Sequence, residues 1–194
     1  MMKKKNMIAL TFFILSSLLV ACSNNENMKV ETNKESSNMN SESEESMEEG
    51  MNHSGSKDIP DRLEEANNPT YEIGSKANIT ANHMKGMEGA EATIKGAYQT
   101  TAYVISYPPT TGGKMVEDHK WVIQEEIEEA GEQRLEEGME VTLTASHMKG
   151  MKGAKATIES ANPTTVYMVD YMPTTGGEEV TNHKWVTESE LTVN

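Results

Sequence analysis

The chain has 194 residues, with 17 Lys and Arg against 31 Asp and Glu for a net charge of −14, and it carries one cysteine and 15 methionines. So acidic a surface excludes nucleic-acid binding, which rests on neutralising phosphates with Lys and Arg, and excludes lying flat on anionic lipid. A single thiol excludes a disulfide framework and a Cys-x-x-Cys redox pair, and if that one cysteine is consumed elsewhere any soft-metal site has to be built from Met and His.

Lys3, Lys4 and Lys5 form a positive region ahead of an apolar stretch, Met7 to Leu19, that is short for a membrane span. The stretch closes on Leu19-Val20-Ala21-Cys22, which resembles the lipobox of bacterial lipoproteins. That pattern implies cleavage before Cys22 and a diacylglycerol lipid on its sulfur. Residues 1–21 are therefore read as a lipoprotein signal peptide, whose removal takes away three lysines and moves the charge from −14 to −17. The expected location is the cell membrane, lipid-anchored and facing outside, with the membrane touched through the anchor only.

From the lipidated Cys22 to residue 58 the chain is Ser, Asn, Glu and Met with scarcely a branched or aromatic side chain, a composition that cannot offset chain entropy by burial. It is expected to be a disordered tether with a typical reach of roughly 30–40 Å. Its methionines, Met28, Met39, Met47 and Met51, are unusual for a solvated linker, and Met47 and Met51 precede His53 as accessory ligand candidates.

The remainder of the chain is a tandem duplication: residues 74–127 align with 138–191 without a gap at an offset of 64, with about half the positions identical. Two repeat domains are expected, residues 59–130 and 131–194, joined by an acidic connector at 128–137 with room for a helical turn. Within a copy, short strands alternate with turn chemistry. The first runs through Ala77, Ile79, Ala81 and His83, or Val141, Leu143, Ala145 and His147. The second covers 92–94 or 156–158, the third 101–107 or 165–171. Pro-Thr-Thr-Gly-Gly hairpin loops then lead into His119-Lys120-Trp121-Val122 and His183-Lys184-Trp185-Val186. The predicted fold class is all-β: two tandem small SH3-like barrels or rolls, with closure limiting exposed edges.

His83-Met84-Lys85-Gly86-Met87 returns letter for letter as His147-Met148-Lys149-Gly150-Met151. Imidazole beside two thioethers is a ligand set for a soft metal, copper(I) above all. Alternation on the first strand sends His83 and His147 inward and Met84 and Met148 the other way. Met87 and Met151, between glycines and charged residues, are in a poor setting for a core, so the expected chelating pair is the inward His with the turn Met. The bland alternative is Met as a gap-filler and His as a hydrogen-bonded strand end. His119 and His183 are weaker candidates. They share a strand face with Trp121 and Trp185, whose indoles are either core or cation–π partners of a bound ion. The Glu runs at 125–129 and 136–137 are expected to be solvated faces. No nucleophile and base stand at family-like spacing, so an enzyme is not expected.

With the lipobox, the His-Met-x-Gly-Met turns and the His-Lys-Trp-Val strands in place, the chain resembles the YdhK-type lipoproteins of Gram-positive bacteria, close to the CopL branch of copper-binding surface lipoproteins. The resemblance covers the anchor and both repeats. It implies copper binding outside the membrane, a contribution to copper tolerance and copper-export machinery as a partner, with a monomer expected. The competing reading is a cell-wall or protein interaction module made of paired SH3-like barrels, in which Met and His are structural.

Overall fold

Strand pairing in the computed structural model, which describes residues 54–193, runs across the duplication as well as within it. The strands are β1 (Glu64–Glu65), β2 (Lys76–Ile79), β3 (Glu91–Tyr107), β4 (Val116–Ile123), β5 (Glu140–Thr142), β6 (Lys155–Tyr171), β7 (Val180–Thr187) and β8 (Leu191–Thr192). All eight belong to one antiparallel sheet, and the described residues include no α-helix. The all-β expectation is met, but the repeats do not close into two barrels. The reason is strand length: β3 and β6 have 17 residues each, and they pair with one another from Ala92↔Tyr171 to Ser106↔Thr157. Each of these strands merges two that the sequence divides, because the stretch between them holds no sequence able to reverse the chain. Asn162-Pro163 looks like a break, yet it lies where β5 and β7 leave the far side of β6 uncovered, and an edge tolerates a residue without N–H.

Thr100 pairs with Thr164, its own counterpart 64 residues on. A pseudo-two-fold axis therefore passes between them, as in an isologous dimer. Its consequence is a crossed core. One cluster joins Ala77, Ile79, Met87 and Ile94 of the first copy to Tyr167, Val169, Val186 and Leu191 of the second. The other joins Leu143, Met151 and Ile158 of the second copy to Tyr103, Ile105, Val122 and Ile127 of the first. A middle cluster holds both indoles, Trp121 and Trp185, with Tyr98, Val166 and Met168.

Several local expectations are corrected. β2 ends at Ile79 and β5 at Thr142, so His83 and His147 stand in the turns beyond, and strand parity does not govern them. Met87 and Met151 are fully buried: each glycine-flanked turn folds back and drops its thioether into the core. The connector has no helical turn. It is held as irregular chain by Gln124, whose side-chain amide donates to the Gly131 and Gln133 carbonyls, and by Leu135, whose N–H donates to the Tyr103 hydroxyl. At the other end, Ser54 and Gly55, assigned to the tether, bond to Thr181 at the edge of β7. Cys22, the signal segment, Met47, Met51 and His53 lie outside the described residues.

The Pro-Thr-Thr loops lock the two copies. Thr174 N–H donates to the Gly86 carbonyl and Thr110 N–H to that of Gly150, both at 2.9 Å. A Cβ at Gly150 would meet Thr111 Oγ1 at 2.6 Å, and its φ of +82° already favours glycine.

All six tyrosines are buried, and burial pushes every hydroxyl above its ordinary range, Tyr167 and Tyr171 to about 12. A raised folded-state pKa stabilises below the unfolded value of about 10 and is lost as pH rises through the folded value. Tyrosine ionisation followed at 295 nm is therefore expected to coincide with unfolding between about pH 10 and 12. Independent, gradual titration near pH 10 in the folded protein would contradict this.

Candidate functional site

Each copy places a bulge in the strand that carries its second histidine. Asp118 in β4 and Asn182 in β7 take positive φ, +51° and +50°, a conformation that short polar side chains tolerate. Their N–H groups are caught by Ser106 Oγ at 3.2 Å and Asp170 Oδ1 at 2.6 Å. The bulges re-aim the next residue, so that the buried ring edges of His119 and His183 face Tyr107 and Tyr171 edge-on, at centroid distances of 6.1 and 5.9 Å.

Past each strand comes a single 3-10 turn, Gln124–Glu126 or Glu188–Glu190. The third residue of each turn, Glu126 or Glu190, reaches back to the N–H of Ile123 or Thr187 at 3.2 and 2.9 Å. That bond fixes the carboxylate beside the other copy's turn. Glu190 accepts from His83 Nε2 at 2.6 Å and from Trp121 Nε1 at 2.8 Å. Glu126 accepts from His147 Nε2 at 2.6 Å and from Trp185 Nε1 at 3.0 Å. His and Trp come from one copy and Glu from the other at the first site's indole-bearing turn and again at its symmetry mate, so each carboxylate joins the two copies.

The sequence pattern conceals both carboxylates, placing 125–129 among solvated faces, whereas Glu126 is 6 % exposed. The available signal is the repeat itself, since a Glu stands five residues after each His-Lys-Trp tryptophan. Burial alone would raise their pKa values. At Glu126 the charge interaction with His147 and the bonds from that ring, the Trp185 indole and the Ile123 N–H outweigh it and hold the carboxyl below its usual range; at Glu190 the bonds from His83 and from the Thr187 N–H and hydroxyl do so, bringing it to about 2.

The histidines meet across the copies. His119 lies 6.4 Å from His147, ring centre to ring centre, and burial, with the His147 and His83 rings nearby, lowers it to about 4. It is neutral over the physiological range. His83 lies edge-on to Trp121 at 6.1 Å. Three ring nitrogens, His83 Nδ1, His147 Nδ1 and His119 Nε2, are buried with no hydrogen-bond partner. On His83 and His147 it is Nε2 that is tied to glutamate, so Nδ1 is the nitrogen left without a partner. His183 is buried against Tyr171.

Among the described residues no three His, Cys, Asp or Glu side chains are grouped to hold an ion. The donors present suit an ion content with two imidazoles, or with imidazole and thioether. Two imidazoles on one ion, with metal–nitrogen bonds of about 2.0 Å, leave ring centres about 6 Å apart, which matches the His119–His147 spacing. Met84 and Met148 are half-buried in the turns, Met84 against the first cluster. His83 and Met84 line an open recess of about 450 Å³ with Asn82, Lys85, Gly86, Glu88 and Thr174. The indole faces are not left for an ion: Lys120 Nζ lies over Trp121 at 5.4 Å and Lys184 Nζ over Trp185 at 5.9 Å.

Comparison with known proteins gives concordant results. The profile of a family described as a protein of unknown function, DUF1541, matches residues 73–124 and 137–188. The uncharacterized protein YdhK of Bacillus subtilis (strain 168) is 57 % identical over 185 residues, which cover 94 % of this chain and 87 % of that protein. A 2.00 Å crystal structure of that DUF1541 family protein is similar with a TM-score of 0.73 at 63 % identity, covering 75 % of this chain and 99 % of the other. A solution NMR structure of the YdhK C-terminal domain matches with a TM-score of 0.61 at 64 % identity, over 63 % of this chain and 93 % of that one.

Proposed function

The chain belongs to the DUF1541 family, and from that premise, with its unpartnered interior imidazoles, we propose that it is a copper-binding protein that sequesters copper(I). The observation that carries the reading is the set of buried ring nitrogens without a hydrogen-bond partner on His83, His119 and His147, two of the rings backed by a carboxylate. A buried polar nitrogen without a partner is costly, and a soft cation bound to the deprotonated ring satisfies it. Met84 and Met148, half-buried in the same turns as the two histidines, are the thioethers assigned to complete coordination, while Met87 and Met151 serve the core. The chemistry is capture, not turnover, and no enzymatic activity is assigned.

The surrounding biology is what the lipobox and the resemblance to copper-binding lipoproteins imply. Cys22 carries the lipid, the repeats face outward from the membrane close to copper-export machinery, and binding as a monomer lowers free copper and raises tolerance, as in the CopL branch. Nucleic acid is not a partner.

Titration of the mature chain with copper(I) against a competing chelator tests this. Two equivalents are expected at affinities tighter than about 1 µM, and His83→Ala and His147→Ala should each remove one. Uptake no tighter than that, unchanged in the double variant, would sink the reading.

A further inference from the structure

Resting on that reading, we propose that Glu126 and Glu190 are positioning residues supplied across the copies, each holding the ligating imidazole of the other copy in place for the bound ion. Glu126 belongs to the first repeat and holds the imidazole of the second, His147; Glu190 belongs to the second and holds His83 of the first. In each case one carboxylate oxygen takes the imidazole Nε2 and the other the indole Nε1, so the ring can neither flip nor swing. A carboxylate behind a ligating histidine fixes its tautomer and raises its basicity, and losing one typically costs 10–100-fold in metal affinity. Here Nε2 is the nitrogen held, so Nδ1, buried and without a hydrogen-bond partner on both rings, is the one turned to the ion.

The test uses the full chain and silver(I), a soft ion that does not oxidise in air. The readout is the ¹⁵N–¹H correlation spectrum of the imidazole ring nitrogens. In the wild type, silver(I) should shift Nδ1 of His83 and His147. Glu126→Gln keeps an acceptor for the Trp185 indole but removes the charge. It should raise the silver(I) concentration that shifts His147 by about 10–100-fold and leave His83 unchanged. Glu190→Gln should do the reverse, and it carries the same test if the amide spectrum shows Glu126→Gln unfolded. An effect on the same copy's histidine, equal weakening of both, or no weakening overturns the inference while copper binding stands. If silver(I) moves no ring nitrogen in the wild type, it is the copper reading itself that fails.

Discussion

Met151→Ala is expected to lower the unfolding free energy by about 2–5 kcal/mol, and Met151→Leu by less than about 1.5 kcal/mol, with copper stoichiometry intact in the Leu variant. Met151 has no exposed surface and sits in the cluster with Leu143, Ile158, Ile105 and Tyr107. Truncation to alanine removes most of the side chain from a packed site and leaves a cavity, whereas leucine conserves most of the volume. A ligand would behave in the opposite sense: leucine would preserve the fold and abolish binding. Urea unfolding of both variants, with copper(I) competition on the Leu variant, separates the roles. A tenfold or greater loss of affinity in Met151→Leu would return the thioether to the coordination sphere. The same experiment at Met87 should give the same answer, since it is equally buried in the facing cluster.

A second large effect is expected when the copies are separated. Residues 131–194 alone should not persist as a folded monomer, because the N-terminal half of each repeat packs against the C-terminal half of the other. They should instead associate as a symmetric dimer, with β6 pairing to β6 about Thr164. The volumes permit it: where Tyr103, Ile105, Tyr107, Val122 and Ile127 pack on Met151 in the intact chain, a second copy offers Tyr167, Val169, Tyr171, Val186 and Leu191. The differences are Ile105 against Val169 and Ile127 against Leu191, both exchanges that cores usually tolerate. The dimer would also regenerate the His–Glu–Trp arrangement, with Glu190 of one copy beside His147 of the other. Sedimentation should report a dimer, and thermal unfolding should shift with concentration. A folded monomer at all concentrations would contradict the crossed core.

Most of the strand content was legible because alternation and β-branched runs depend only on local sequence. Which copy supplies the partner strand was not. Two copies with half their residues in common present nearly identical faces, so pairing within or between them satisfies the same burial pattern. The long strand escaped for a related reason: Gly96 and Pro163 look like punctuation unless the uncovered edges beside them are known. At the site, His83 and His147 were marked by residue type and repetition, yet their orientation came from turns rather than strand parity. Glu126 and Glu190 were hidden in acidic runs, since nothing local distinguishes a carboxylate facing water from one that crosses to a distant imidazole. Met87 and Met151 misled in the reverse direction, because glycines flanking a thioether permit both an exposed loop and the sharp return that buries it.

The pairing of Thr100 with Thr164 also bears on dilution. Two free copies would hold each other only above their dissociation constant, and both crossed sites would vanish together below it. The connector at 128–137 turns that encounter into an intramolecular one, with an effective concentration on the order of millimolar for so short a link. The fused chain therefore keeps both carboxylate-backed imidazoles assembled however sparsely the protein is expressed, and its readiness to capture an ion does not depend on finding another molecule first.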